Sequence, residues 1–126
     1  RTRNALQRIG LAARFEAAVQ TVEPLGYLEF SGLMQKARLV ITESGGLQEE
    51  TTVLGIPCLT IRENTERPVT ISQGTSELVR ANTLFEHVDR ILSGDWKKGD
   101  CPPLWDGNTA ERAVAALAAR LPGAQA

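Results

Sequence analysis

Apolar positions along this chain fall into short runs separated by amphipathic stretches. In "NALQRIGLAARFEAAVQ", residues 4–20, Leu6, Ile9, Ala13, Ala17 and Val19 recur at near-helical spacing and predict one helix with a single buried face. "VEPLGYLEF" predicts a short extended piece over Leu25 to Leu28, and "FSGLMQKA" a short helix with Leu33, Met34 and Ala37 inward. "RLVIT" is continuous, rich in β-branched residues and too short for a helix, as expected of a strand buried on both faces. A helix is predicted from Gly45 to Leu54, stopped by Gly55 with Pro57 two residues on. "IPCLTI" follows as a second buried strand.

Beyond it lies the loop "RENTERP", then a short helix entered at Pro68, a position proline favours. "SELVR" predicts a further strand, which makes four in all. Thr83 is placed to cap the helix "LFEHVDRIL", which ends at Ser93-Gly94, and after a loop Asn108 or Thr109 opens a last helix, "AERAVAALAARL". Short apolar strands alternating with helices predict βαβ units and a parallel sheet, an α/β Rossmann-like fold with flanking helices. Such a domain normally opens with a strand, whereas this chain opens with a helix, so the expectation is a domain whose first strands are missing. Its sheet would carry an unpaired edge open to self-association.

Composition narrows the function classes. The chain has 126 residues, enough for one core, with 42% apolar and 23% charged residues. Lys and Arg number 14 against 15 Asp and Glu, so there is no basic surplus to neutralise a nucleic-acid backbone. No apolar run is long enough to cross a bilayer, and "RTRNALQRIG" lacks a signal peptide's apolar core, so a cytoplasmic protein away from membranes is expected. Cys58 and Cys101 lack metal or redox spacing and read as free thiols. His87, the sole histidine, reads as a helix-face residue. Nothing in the pattern implies a metal or cofactor.

Candidate chemistry concentrates at "ITESGGLQEE". A helix N-terminus offers unpaired N–H groups and the positive end of the helix dipole. With glycines to let an anion approach and a serine hydroxyl beside them, Ser44, Gly45 and Gly46 are suited to a phosphate at the carboxyl end of a strand. A carboxylate further along the helix is suited to ribose hydroxyls, but Glu49 and Glu50 are adjacent and cannot both face one side. A serine cap, turn glycines and dipole-favoured acids explain the same letters without any ligand. "RENTERP" shifts the balance, because Arg67 supplies a fork of donors that fits a diphosphate from a second loop on the same sheet edge.

These stretches together resemble the non-hydrolysing UDP-N-acetylglucosamine 2-epimerase family. The likeness runs through "PLGYLEFSGLMQKARLVITESGGLQEETTVLGIPCLTIRENTERPVTISQGTSELV" and returns at "WDGNTAER", while "RTRN" resembles the end of a His-Pro-Arg-Thr segment. Glu43 stands where an aspartate is usual. The resemblance implies a GT-B arrangement of two Rossmann-like domains, of which residues 1–126 form an incomplete C-terminal UDP-binding domain without its first strands and without the N-terminal catalytic domain. It implies that Ser44, Gly45 and Gly46 hold the phosphates, Glu50 the ribose and Arg67 the phosphate or sugar end. It implies UDP-GlcNAc and UDP-ManNAc as ligands, interconverted by UDP elimination and re-addition, with no catalytic residue in this chain, no cofactor, and a homodimer for the whole protein. The donor-binding half of a GT-B glycosyltransferase, a hydrolysing epimerase and a non-catalytic UDP-sugar module are the competing readings, and the Arg-x-x-Thr-Glu-Arg-Pro stretch argues against the first of these.

Overall fold

A computed structural model describes residues 2–121. Contacts divide the chain into two units, Arg1–Gly32 and Leu33–Ala126.

In the first unit the single predicted helix is two, α1 (Thr2–Arg8) and α2 (Ala12–Ala18). Gly10 breaks it at φ 72°, with Gly10 N–H donating to Gln7 O and Leu11 N–H to Leu6 O, the paired bonds of a glycine-terminated helix end. The periodic apolar positions on both sides of Gly10 concealed that stop. The extended piece expected over Leu25 to Leu28 is instead the start of α3 (Tyr27–Met34). Glu29 reaches back to accept from the Gly26 N–H at 3.1 Å, the carboxylate half of a capping box. That local bond overrides the extended tendency of a Pro-Leu-Gly segment, and it leaves three strands rather than four.

The second unit holds them as β1 (Val40–Thr42), β2 (Cys58–Thr60) and β3 (Ser76–Leu78), parallel and in the order β1-β2-β3. The register pairs Val40 with Cys58 and Cys58 with Ser76. Central β2 is wholly buried, as its apolar run predicts. Edge strand β1 is not buried on both faces, since Ile41 is 45% exposed. Between the strands lie α4 (Gly45–Leu54) and α5 (Pro68–Ser72), followed by α6 (Leu84–Ser93) and α7 (Thr109–Ala118). α4 has the bounds its letters predict: Ser44 caps it, and Gly55 at φ 69° closes it with N–H bonds to the Thr51 and Thr52 carbonyls. Thr83 and Asn108 occupy the cap positions of α6 and α7 but make no side-chain cap bond, and the Thr83 hydroxyl donates to Arg80 O instead.

Leu59, Val79 and Ile91 form the core, with Leu39, Ile61, Leu84, Val88 and Trp96 against them. Hydroxyls fill much of the rest of the interior: Thr51, Thr52, Thr60, Thr70, Thr75 and Ser76 are all buried. Thr51 and Thr52 avoid the cost of burial by donating to the Leu47 and Gln48 carbonyls one turn back, at 2.7 and 2.8 Å. A strap after α6 runs beside β3, where the Trp96 indole donates to Thr75 O and Asp100 N–H to Gln73 O. Lys97 Nζ donates to Ile71 O and Ser76 O, and its burial pulls its pKa below the usual lysine value.

Candidate nucleotide-binding turn

The turn forms where β1 ends and α4 begins. Ser44 is extended, at φ −80° and ψ 126°, its N–H donates to Thr42 Oγ1 at 3.0 Å, and its own Oγ accepts from Leu47 N–H at 3.5 Å. Gly45 and Gly46 then occupy the first helical positions, whose N–H groups have no partner within the helix. The mouth of the turn therefore presents two backbone donors, a serine hydroxyl and the positive end of a ten-residue helix.

The loop after β2 folds over this mouth. A Cβ built on Gly45 would stand 3.9 Å from Arg67 Cγ and 4.0 Å from Glu66 Oε2, so the bare glycine lies directly under the arginine stem. Sequence reasoning placed Ser44, Gly45, Gly46 and Arg67 on the same sheet edge, and the structure brings Arg67 against Gly45. It also adds an unexpected partner: Arg67 Nε stands 2.8 Å from Glu49 Oε1 in an ion pair. Glu50, about 100° further round the helix, is half-buried and makes no ion pair or hydrogen bond among the described residues. The two adjacent glutamates thus divide, one turned to Arg67 and one free. Arg62 forks onto both Glu66 oxygens at 3.2 Å, and the backbone N–H of Glu66 followed by that guanidinium hold its carboxyl below the usual carboxylate range.

Gln48 is the residue that sequence reasoning passed over. Fully buried beneath the loop, its Oε1 accepts from Thr65 Oγ1 at 2.9 Å and lies 3.3 Å from Thr70 Oγ1. Those threonines in turn hold the Arg67 backbone, since Arg67 N–H donates to Thr65 Oγ1 at 3.0 Å and Thr70 Oγ1 donates to Arg67 O at 2.8 Å. The available signal was the pair of threonines flanking Arg67, too common a pattern to stand out.

His87 lies away from this machinery, as a face residue of α6 should. Its Nδ1 meets Thr83 O at 2.8 Å, its ring packs edge-on to Trp96, and Nε2 is 3.6 Å from Glu77 Oε2. Both cysteines are free, Cys58 buried and Cys101 exposed. No helix among the described residues is long and apolar enough to cross a membrane.

A family model described as UDP-N-acetylglucosamine 2-epimerase matches residues 1–118. The chain belongs to that family. Among relatives, the UDP-N-acetylglucosamine 2-epimerase of Methanococcus maripaludis is 40% identical over 86% of this chain and 30% of its own length. That of Methanocaldococcus jannaschii is 38% identical over 93% of this chain and 32% of its own. The UDP-2,3-diacetamido-2,3-dideoxy-D-glucuronate 2-epimerase of Pseudomonas aeruginosa is 35% identical over 96% of this chain and 33% of its own. The chain thus spans about a third of the length of these relatives. The M. jannaschii enzyme solved in complex with UDP-GlcNAc and UDP superposes at a TM-score of 0.73, with 37% identity, over 94% of this chain and 33% of that one. The three-stranded parallel sheet with flanking helices is therefore this family's α/β fold, represented in part. Membership also removes the glycosyltransferase reading, as the Arg-x-x-Thr-Glu-Arg-Pro stretch had argued.

Proposed function

We propose that this chain is the UDP-binding portion of an epimerase that interconverts UDP-GlcNAc and UDP-ManNAc by eliminating UDP across C1–C2 and adding it back. The reading rests on the seating of Arg67 over the Ser44-Gly45-Gly46 turn, in a chain that matches an enzyme solved with UDP-GlcNAc and UDP. In it, the Gly45 and Gly46 N–H groups and the Ser44 hydroxyl take the diphosphate, Arg67 reaches the same phosphates, and Glu50 accepts from the ribose hydroxyls. UDP gains negative charge as the C1–O bond breaks, and donors fixed in advance at the helix start lower the energy of that departure. The groups that handle the C2 proton lie outside this chain, carboxylates in an N-terminal domain and a histidine near the start of the C-terminal one, and the whole protein works as a cytoplasmic homodimer.

Calorimetric titration with UDP tests this. Saturable binding by the wild-type chain, weakened about thirtyfold by Arg67→Ala as expected for losing a charged hydrogen-bonding group and also weakened by Glu50→Ala, is the expected result. A folded chain that ignores UDP, or variants that bind as wild type, would overturn the assignment. The chain alone is expected to show no turnover of UDP-GlcNAc in a coupled assay.

The P. aeruginosa relative supports a second reading of the sugar. Its name carries a different UDP-sugar, yet it aligns over 96% of this chain. Groups that hold only UDP serve either sugar equally, and turnover of both candidates by the longer protein separates them.

A further inference from the structure

We propose that Glu49 is a positioning residue, which holds Arg67 by Nε so that the two terminal guanidinium nitrogens face the diphosphate. This rests on the nucleotide reading above and assigns a role to an acid that the reading leaves unused. Three observations carry it. The Glu49 Oε1 to Arg67 Nε distance is 2.8 Å, a close ion pair at the one guanidinium nitrogen that lies on the side-chain stem. Neither terminal nitrogen of Arg67 is bonded to another protein group among the described residues. The backbone of the same residue is fixed independently, because Thr65 and Thr70 bond its N–H and C=O and both threonines meet Gln48 Oε1. Consecutive residues of α4 therefore hold Arg67 at its backbone and at its stem, directly above Gly45.

The proposal has a signature that bulk electrostatics cannot imitate. A carboxylate beside a diphosphate site repels the ligand, so if Glu49 were only a nearby charge, removing it would tighten UDP binding. A carboxylate that orients Arg67 does the reverse. Glu49→Ala is expected to weaken UDP binding about threefold, the scale of a partly exposed ion pair, and Glu49→Asp, which keeps the charge, to recover part of the loss. In an Arg67→Ala background the sign inverts, and adding Glu49→Ala leaves binding unchanged or tighter.

Calorimetry on the wild-type chain, the two Glu49 variants, Arg67→Ala and the double variant reads all of this. Glu49→Ala that binds UDP as well as or better than wild type overturns the proposal, as does a loss that is additive with Arg67→Ala. Should the wild-type chain not bind UDP, the nucleotide reading fails while the positioning role is still decided without ligand. The Arg67 Nε–Hε resonance, assigned by its absence in Arg67→Lys, moves in Glu49→Ala if the contact orients the side chain. If it stays in place the proposal is overturned.

Discussion

Replacing Gln48 by leucine separates what this residue does for stability from what it does for the loop above it. Gln48 is fully buried, its Oε1 takes the Thr65 hydroxyl, and its Nε2 is buried without a partner. Leucine of similar volume deletes the Thr65 bond, a loss of about 1 kcal/mol. Thr70 keeps its shorter bond to Arg67 O, 2.8 Å against 3.3 Å to Gln48, so its hydroxyl stays satisfied. Against that loss, leucine removes an unpartnered buried amide that itself costs about 1–3 kcal/mol. The net change is expected to fall between about zero and 2 kcal/mol of stabilisation, a rise of no more than about 8 °C in Tm. Gln48→Ala adds a cavity and should cost about 2 kcal/mol or more. UDP binding nevertheless falls in both, because Thr65 no longer anchors the Arg67 N–H to α4. Thermal and urea unfolding followed by circular dichroism, with calorimetry alongside, measures both halves. Loss of more than about 3 kcal/mol in Gln48→Leu would show that the amide is fully satisfied in solution and that the reasoning from its orphan donor is wrong.

Two further expectations concern other parts of the chain. A Cβ on Gly99 would fall 2.6 Å from both Gly74 O and Thr75 N, so Gly99→Ala must push the strap off β3 and strain the Trp96, Lys97 and Asp100 bonds, costing about 3 kcal/mol; Gly32→Ala in α3, where the new methyl meets nothing within 4 Å, should instead stabilise by about 0.5 kcal/mol, and equal unfolding midpoints for the two variants would refute the steric argument. Asp106 accepts from Asn108 N–H and Arg112 at the start of α7, and first the Asn108 bond, then Arg112, hold its carboxyl below its ordinary 3.8. The unfolded chain takes up that proton more readily, so the contribution is complete above 3.8 and fades as pH falls through the lower folded value. Exchange of the Asn108 amide should therefore quicken only below about pH 4, with Asp106→Asn abolishing the dependence. An amide equally protected down to about pH 2 in the wild type contradicts it.

How far the letters reached depended on the range of the interactions that fix each feature. α4 was legible to the residue because its ends are local events: Ser44 caps three residues ahead, and Gly55 takes a left-handed conformation that an ordinary side chain resists. β2 was legible because a strand buried on both faces needs an unbroken apolar run. The break at Gly10 and the start of α3 at Tyr27 were equally local, but each competed with a stronger surface pattern, apolar periodicity in one case and a Pro-Leu-Gly segment in the other.

By itself, then, the sequence determined the parallel α/β order, the glycine turn at a strand's carboxyl end and the arginine loop that follows the next strand. Only tertiary structure decided which acid meets Arg67, that Gln48 lies beneath the loop, and that β1 keeps an exposed face. The reason is physical: neighbouring residues on a helix differ by about 100° in direction, so choosing Glu49 over Glu50 depends on where β2 delivers Arg67. The Thr65 to Gln48 bond likewise joins residues 17 apart. Chain-local rules cannot see across that gap, and the parallel return of β2 beside β1 closes it.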